Sequence, residues 1–232
     1  MDEKLATLIG LLLSDGSVFF DRSKKLFCIQ FTNKVDGLRE VFKNLMKECF
    51  GITSFFENYC KGAVSVRVFS NKVANFLFNL PPTFRKLPCD SFPRCNGHSC
   101  SDCTPVIENS KKFPPCRIPE EILYDMIFSI NFLRGFASGD GSVFFSNKHR
   151  VVCIELTCSH PILKAQLIVC LKKIGINCFT KRDGIIIASK SGLKKFHQLV
   201  GFLPESIVCN RSSKWFGVPK NKVLEIALEA LE

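Results

Sequence analysis

Ser14-Asp15-Gly16-Ser17-Val18-Phe19-Phe20 returns as Gly139-Asp140-Gly141-Ser142-Val143-Phe144-Phe145, 125 residues further along the chain (140 − 15). Downstream of each copy, Phe27-Cys28-Ile29-Gln30-Phe31-Thr32 is echoed by Val152-Cys153-Ile154-Glu155-Leu156-Thr157 at the same offset (152 − 27), with no insertion between the matches. Two matches in one register identify a duplicated unit.

Each unit reads the same way. Leu5, Leu8, Ile9, Leu12 and Leu13 fall at helical spacing, and this helix stops at Asp15-Gly16, with glycine in the usual terminating place. Strands are predicted over 17–21 and 26–33 around the charged loop Asp21 to Lys25, then a helix over 36–49, strands over 53–58 and 63–69, and a helix over 71–79. The second half repeats the order: helix 120–140, strands 142–147 and 151–158, helix 161–174, strands 176–182 and 184–189, helix 191–200. A closing helix over 219–231 reads as a packing helix, from Val223, Ile226, Ala227 and Ala230 on one side. The expected architecture is α+β: tandem αββαββα units related by a pseudo-twofold axis, spanning 1–80 and 120–232 and joined by a Cys/Pro-rich linker at 81–119.

An aspartate at a helix C-terminus faces the negative end of the helix dipole, a misfit of a few tenths to about 1 kcal/mol. This chain repeats it, at Asp15 and Asp140. Small residues stand four apart just upstream, Gly10 and Ser14 in one helix and Gly135 and Gly139 in the other, although an interior glycine costs about 1 kcal/mol of helix propensity. If the helices pack through those residues, their C-termini meet and two carboxylates converge, an arrangement that calls for cations. A single Asp-Gly would only cap a helix before a hairpin; the duplication points to divalent metal instead.

The charge agrees. Lys and Arg number 32 against 21 Asp and Glu, so the net charge is +11 and a polyanionic partner, first of all nucleic acid, is expected. The apolar run Leu8 to Leu13 is too short to cross a bilayer and no basic leader precedes it, so a cytoplasmic rather than secreted protein is expected. Thirteen cysteines are unusual in a reducing compartment, for which hyperthermophilic prokaryotes are the known exception.

Leu8-Ile9-Gly10-Leu11-Leu12-Leu13-Ser14-Asp15-Gly16 and Leu133-Arg134-Gly135-Phe136-Ala137-Ser138-Gly139-Asp140-Gly141 resemble the two signatures of the monomeric LAGLIDADG homing endonucleases, the second keeping mainly its Leu, central Gly and final Gly-Asp-Gly. The resemblance covers most of the chain outside 81–119. It implies a saddle whose two four-stranded sheets lie in the major groove of double-stranded DNA, and a monomer that cuts a long target with short 3′ overhangs. An intron-encoded, archaeal enzyme is the implied type. Mg²⁺, with Mn²⁺ as a substitute, would be held by Asp15 and Asp140 with the carbonyls of Ser14 and Gly139 assisting. The family's solvent-positioning residue matches Asn33 in the first half but meets Cys158 in the second, so unequal strand rates are expected. Its charge-stabilising lysines would be Lys86, or less well Arg85, and Lys214, or less well Arg211.

Base reading is expected from outward strand residues at period two: Ser17, Phe19, Asp21, Cys28, Gln30, Lys61 and Arg67, then Ser142, Phe144, Ser146, Glu155 and Lys181. Gln30 suits adenine and Glu155 accepts from cytosine, so the target is not a palindrome. Lys24, Lys25, Lys34, Lys148, Arg150 and Arg182 are expected on phosphates. In the linker, Cys100 and Cys103 form half a zinc motif that Cys95 together with Cys89, Cys116 or His98 would complete without a catalytic role; disulfides or free thiols fit equally well. The alternative function is a non-cleaving DNA-binding protein or a maturase acting on its own intron RNA, against which the retention of both aspartates argues.

Overall fold

The computed structural model describes residues 1–60, 62–81, 83–84, 86–88, 105–108, 110–146, 151–210 and 213–231. The first half runs α1 (Glu3–Asp15), β1 (Gly16–Asp21), β2 (Leu26–Asn33), α2 (Asp36–Phe50), β3 (Phe56–Cys60), β4 (Ala63–Phe69) and α3 (Asn71–Phe78). A short hairpin follows, β5 (Val106–Glu108) and β6 (Lys111–Phe113). The second half runs α4 (Glu120–Tyr124), α5 (Met126–Asp140), β7 (Gly141–Ser146), β8 (Val151–Thr157), α6 (Pro161–Lys173), β9 (Phe179–Lys181), β10 (Gly184–Ile187) and α7 (Lys190–Lys195), which continues as a π-helical turn at Phe196–Val200. α8 (Lys220–Glu229) closes the described chain. The two sheets, β1-β2-β4-β3 and β7-β8-β10-β9, are antiparallel throughout and share one strand order, as the duplicated α+β reading requires.

α1 is buried on every side from Leu8 to Leu13, because one flank packs on α5 and the other on its own half. The crossing is close enough that small residues are obligatory. A Cβ on Gly10 would meet the Phe132 carbonyl and the Phe136 amide, and a Cβ on Gly135 would meet the Thr7 carbonyl. Helix propensity is given up for backbone approach, which is the exchange the paired glycines implied. Behind this seam, Phe31 of β2 stacks on Phe42 of α2 at 5.2 Å between ring centres, and Ile154 and Leu156 of β8 are fully buried in the second half.

Three local readings change. The helix expected over 120–140 breaks at Asp125, whose carboxylate accepts from the Phe128 amide (2.9 Å) and starts α5 afresh. The strand expected from 176 begins at Phe179, because Gly175 (φ 74°) ends α6 and the Ile176 amide bonds back to the Leu171 carbonyl (2.9 Å). Gly51 (φ 69°) ends α2 in the same way, and the strand expected from 53 begins at Phe56. Gly16 and Gly141, by contrast, are extended (φ −101° and −91°). They are glycines because each strand folds back over the last helical turn, where a Cβ would strike Leu12 or Ala137.

Candidate metal centre and nucleic-acid interface

Close packing carries through to the helix ends. A Cβ on Gly139 would meet Ser14 Oγ and Asp15 Oδ2, so α1 and α5 finish side by side with their aspartates at one seam. Asp15 Oδ2 accepts from Asn33 Nδ2 (2.9 Å), and Asn33 Oδ1 is fixed by the Val35 amide (2.8 Å). The Lys86 ammonium pairs with Asp140 Oδ2 and donates to the Ser14 carbonyl. That ion pair is the interaction of the buried Asp140 Oδ2, which has no hydrogen-bond partner among the described residues.

A second lysine stands at the seam beside Asp140. Lys220, buried in the first turn of α8, donates to the carbonyls of Ser138 (2.9 Å) and Gly141 (2.7 Å), on either side of Asp140. Lys214 is exposed and stands over the rings of Phe145 (5.4 Å) and Trp215 (4.6 Å). Spacing does not reveal Lys220, because the backbone carbonyls that hold it lie about eighty residues away. A signal existed all the same: a lysine in the first turn of a helix opposes the dipole, the mirror image of the misfit at Asp15 and Asp140.

Burial dominates the seam's electrostatics. It raises the Asp15 pKa against the opposing pull of Lys86, Asn33 and Lys220, and it lowers that of Lys86 against Asp15. The Lys220 pKa is brought down to about 8, again chiefly by burial. Each charge is costly alone and relieved by its neighbours. Two clefts open beside the seam. One of ≈ 570 Å³ is lined by Ser14, Asp15, Ser17, Thr32 and Lys86, and one of ≈ 250 Å³ by Asn33, Gly139, Gly141, Ser142 and Lys220.

Among the described residues no three His, Cys, Asp or Glu side chains gather as a metal cage. Two carboxylates suit a hard divalent ion that completes its shell with phosphate oxygens and water, but Asp140 Oδ2 is paired with the Lys86 ammonium, which such an ion has to displace. Ser14 O is taken by Lys86, so a metal ligand there has to displace an ammonium.

On the outer sheet faces the expected readers divide. Ser142 and Phe144 are exposed; Ser17, Phe19, Gln30, Arg67, Ser146, Glu155 and Lys181 are half-buried. Cys28 is buried, contrary to expectation, because Phe19 and Phe69 flank it in register. Asp21 gives Oδ1 to the Ser23 amide (2.9 Å), the Ser23 hydroxyl (2.6 Å) and the Lys24 amide (3.2 Å), so it shapes the hairpin loop. Lys24, Lys25, Lys34 and Arg182 are exposed. Lys61, Arg85, Lys148, Arg150, Arg211, Cys89, Cys95, Cys100, Cys103 and His98 lie outside the described residues. Cys116 is a free, fully buried thiol packed in the core. Cys158 is buried too, its thiol turned to the His160 carbonyl (3.7 Å). No helix among the described residues is long and apolar enough to cross a membrane.

Residues 128–201 match the family model of the LAGLIDADG-like domain. No curated protein matches the chain in sequence. Among solved structures, I-DmoI in complex with DNA and Mn aligns over 85% of this chain and 96% of its own, at 14% identity and a TM-score of 0.54. An I-DmoI variant with its target DNA and Mn aligns over 94% and 98%, also at 14% identity and 0.54. Full-length DUF199/WhiA from Thermatoga maritima aligns over 99% of this chain and 61% of its own, at 15% identity and 0.53. Both halves of the chain carry the LAGLIDADG fold, joined through their signature helices, and the second half is recognisable as a LAGLIDADG-like domain in sequence as well.

Proposed function

We propose that the chain is a site-specific DNA endonuclease that makes a metal-dependent staggered break in a long, non-palindromic duplex and works as a monomer, since both halves of the machinery lie in one polypeptide. The observation that carries this is the seam itself: two carboxylates at adjoining helix ends, in the field of Lys86 and of the buried Lys220, between two four-stranded sheets. A pure binder gains nothing from acidic groups where the phosphates pass.

Asp15 and Asp140 would hold Mg²⁺ or Mn²⁺, which when bound activates water and stabilises a leaving 3′ oxygen. The rest falls to the protein. Asn33 orients the Asp15 carboxylate through Nδ2. Lys86 and Lys220 neutralise charge that builds on the phosphate under attack, from a site where burial makes each ammonium more strongly felt. Cys158 offers no amide to match Asn33, so the two strands are cut at different rates.

A second reading, a DNA-binding protein that does not cut, is favoured by the pairing of Lys86 with Asp140, which already satisfies charge that a metal would otherwise meet. Incubating the protein with Mg²⁺ or Mn²⁺ and a plasmid library carrying randomised inserts separates the two. Linearised plasmids with a shared insert sequence and short 3′ overhangs are expected; sequence-selective binding with intact plasmid in both metals would contradict the endonuclease reading.

A further inference from the structure

The strand registers allow the two sheets to be compared residue by residue. Across the first outer face, Ser17 pairs with Gln30, Gln30 with Arg67 and Arg67 with Phe56. Across the second, Ser142 pairs with Glu155, Glu155 with Ile186 and Ile186 with Phe179. Arg67 and Ile186 therefore hold the same place in their halves, one with a guanidinium and one with no donor at all.

Gln30 is held on both sides by its neighbours. Its Oε1 accepts from Arg67 Nε (2.8 Å), its Nε2 donates to Thr32 Oγ1 (3.1 Å), and that hydroxyl is bonded to Ser65 Oγ (2.7 Å). Each end of the amide is thus anchored to a neighbour, which fixes its orientation while leaving one donor and one lone pair unused. The same network fixes Arg67 through Nε, while Nη1 and Nη2 have no hydrogen-bond partner among the described residues. A planar pair of donors on a half-exposed, pre-oriented arginine matches the O6 and N7 acceptors of guanine.

We infer that Arg67, positioned by Gln30, reads a guanine in the first half-site, and that the pseudo-symmetric base pair carries no guanine requirement because Ile186 stands there. The inference rests on the proposed binding of duplex DNA along the sheets. It replaces the adenine reading of Gln30 with a positioning role, and it adds a source of asymmetry to the target.

The test begins with selection of preferred duplexes from a randomised library by the full chain, followed by binding measurements on the selected duplex and its single-base-pair variants. One G·C pair in one half-site is expected to matter to the wild type by about 5- to 150-fold. Arg67→Ala and Arg67→Lys should both flatten that preference, the lysine variant keeping the charge and the salt dependence. Gln30→Ala should reduce the preference without abolishing binding. Arg67→Ala weakening every duplex alike, with a salt slope smaller by about 1 and Arg67→Lys behaving as wild type, would mark a phosphate contact and overturn the assignment. Retention of the preference in both arginine variants would overturn it as well. A wild type that enriches no sequence would bring down the DNA-binding reading together with this inference.

Discussion

In the first half, the aspartate at the helix end is held by an amide, Asn33; in the second, the matching position is a buried thiol, Cys158, and the aspartate faces the ammonium of Lys86 instead. The backbone plan of the two halves is nevertheless the same in strand order, in the register of the first strand pair and in the glycine that ends the second helix. What is shared is what the seam and the sheets require to close. What differs lies one layer out: the lysine donors, the strand-end group, the outer row of the sheet, and the cap of the helix after it. There Val35 makes no side-chain bond, whereas the His160 ring accepts from the Leu163 amide (3.2 Å). Duplication has kept the geometry and released the chemistry.

The comparison breaks most easily at the carboxylates. Asp15→Asn and Asp140→Asn should each lower double-strand cleavage on the order of 10³-fold, the loss of several kcal/mol of charge stabilisation, while DNA binding changes little. Gel-resolved cleavage beside a binding isotherm checks this, and full cutting by either variant removes the metal assignment. Next come the seam glycines. Gly10→Val and Gly135→Val press a side chain onto backbone that cannot move aside, so each should cost about 3 kcal/mol or more in denaturant unfolding. Similar losses in the two halves are expected, and a tolerated substitution would mean the helices do not pack as described.

Lysines test the site more finely. Lys220→Met should reduce cleavage by about 10²-fold, whereas Lys214→Met, losing an exposed cation–π contact, should change binding or cleavage by only about 2- to 5-fold. Equal effects in single-turnover assays would return Lys214 to contention. Asn33→Ala should slow one strand by about tenfold relative to the other, by releasing the Asp15 carboxylate. Strand-resolved nicking time courses measure that ratio, and unchanged relative rates would dismiss the asymmetry.

The smallest effect concerns pH. Burial lowers the His160 pKa; its Nε2 bonds the Pro114 carbonyl at 2.7 Å, and its Nδ1 must stay unprotonated to cap α6. The folded state thus favours the neutral ring. Its contribution is present above the unfolded histidine pKa of about 6.5 and is lost as pH falls toward the depressed folded value. Denaturant unfolding between pH 7 and 5 should show a stability loss that His160→Gln reduces, and identical slopes would leave His160 without a share in it.

The fold was legible because its signals are local or repeated: helical and strand periodicities, turn glycines, and two matches at one offset. Asp15 and Asp140 were legible because each violates a local electrostatic preference. Lys220 was not singled out, since its reason lies in carbonyls brought near only by folding. Cys28 shows the same limit. Period two placed it on the outer face correctly, but Phe69 in the neighbouring strand buries it, while Cys153 lacks such a neighbour because β10 stops at Ile187, opposite Ile154. Gln30 was read as free because Arg67, 37 residues away, becomes its neighbour only in the sheet.

The most direct test of the account is the location of the metal itself. Crystals of the protein bound to its selected DNA and soaked in Mn²⁺ should give an anomalous difference peak beside the carboxylates of Asp15 and Asp140, lost in the Asp15→Asn, Asp140→Asn double variant. Ordered DNA on both sheets with no peak at the paired helix ends would contradict it.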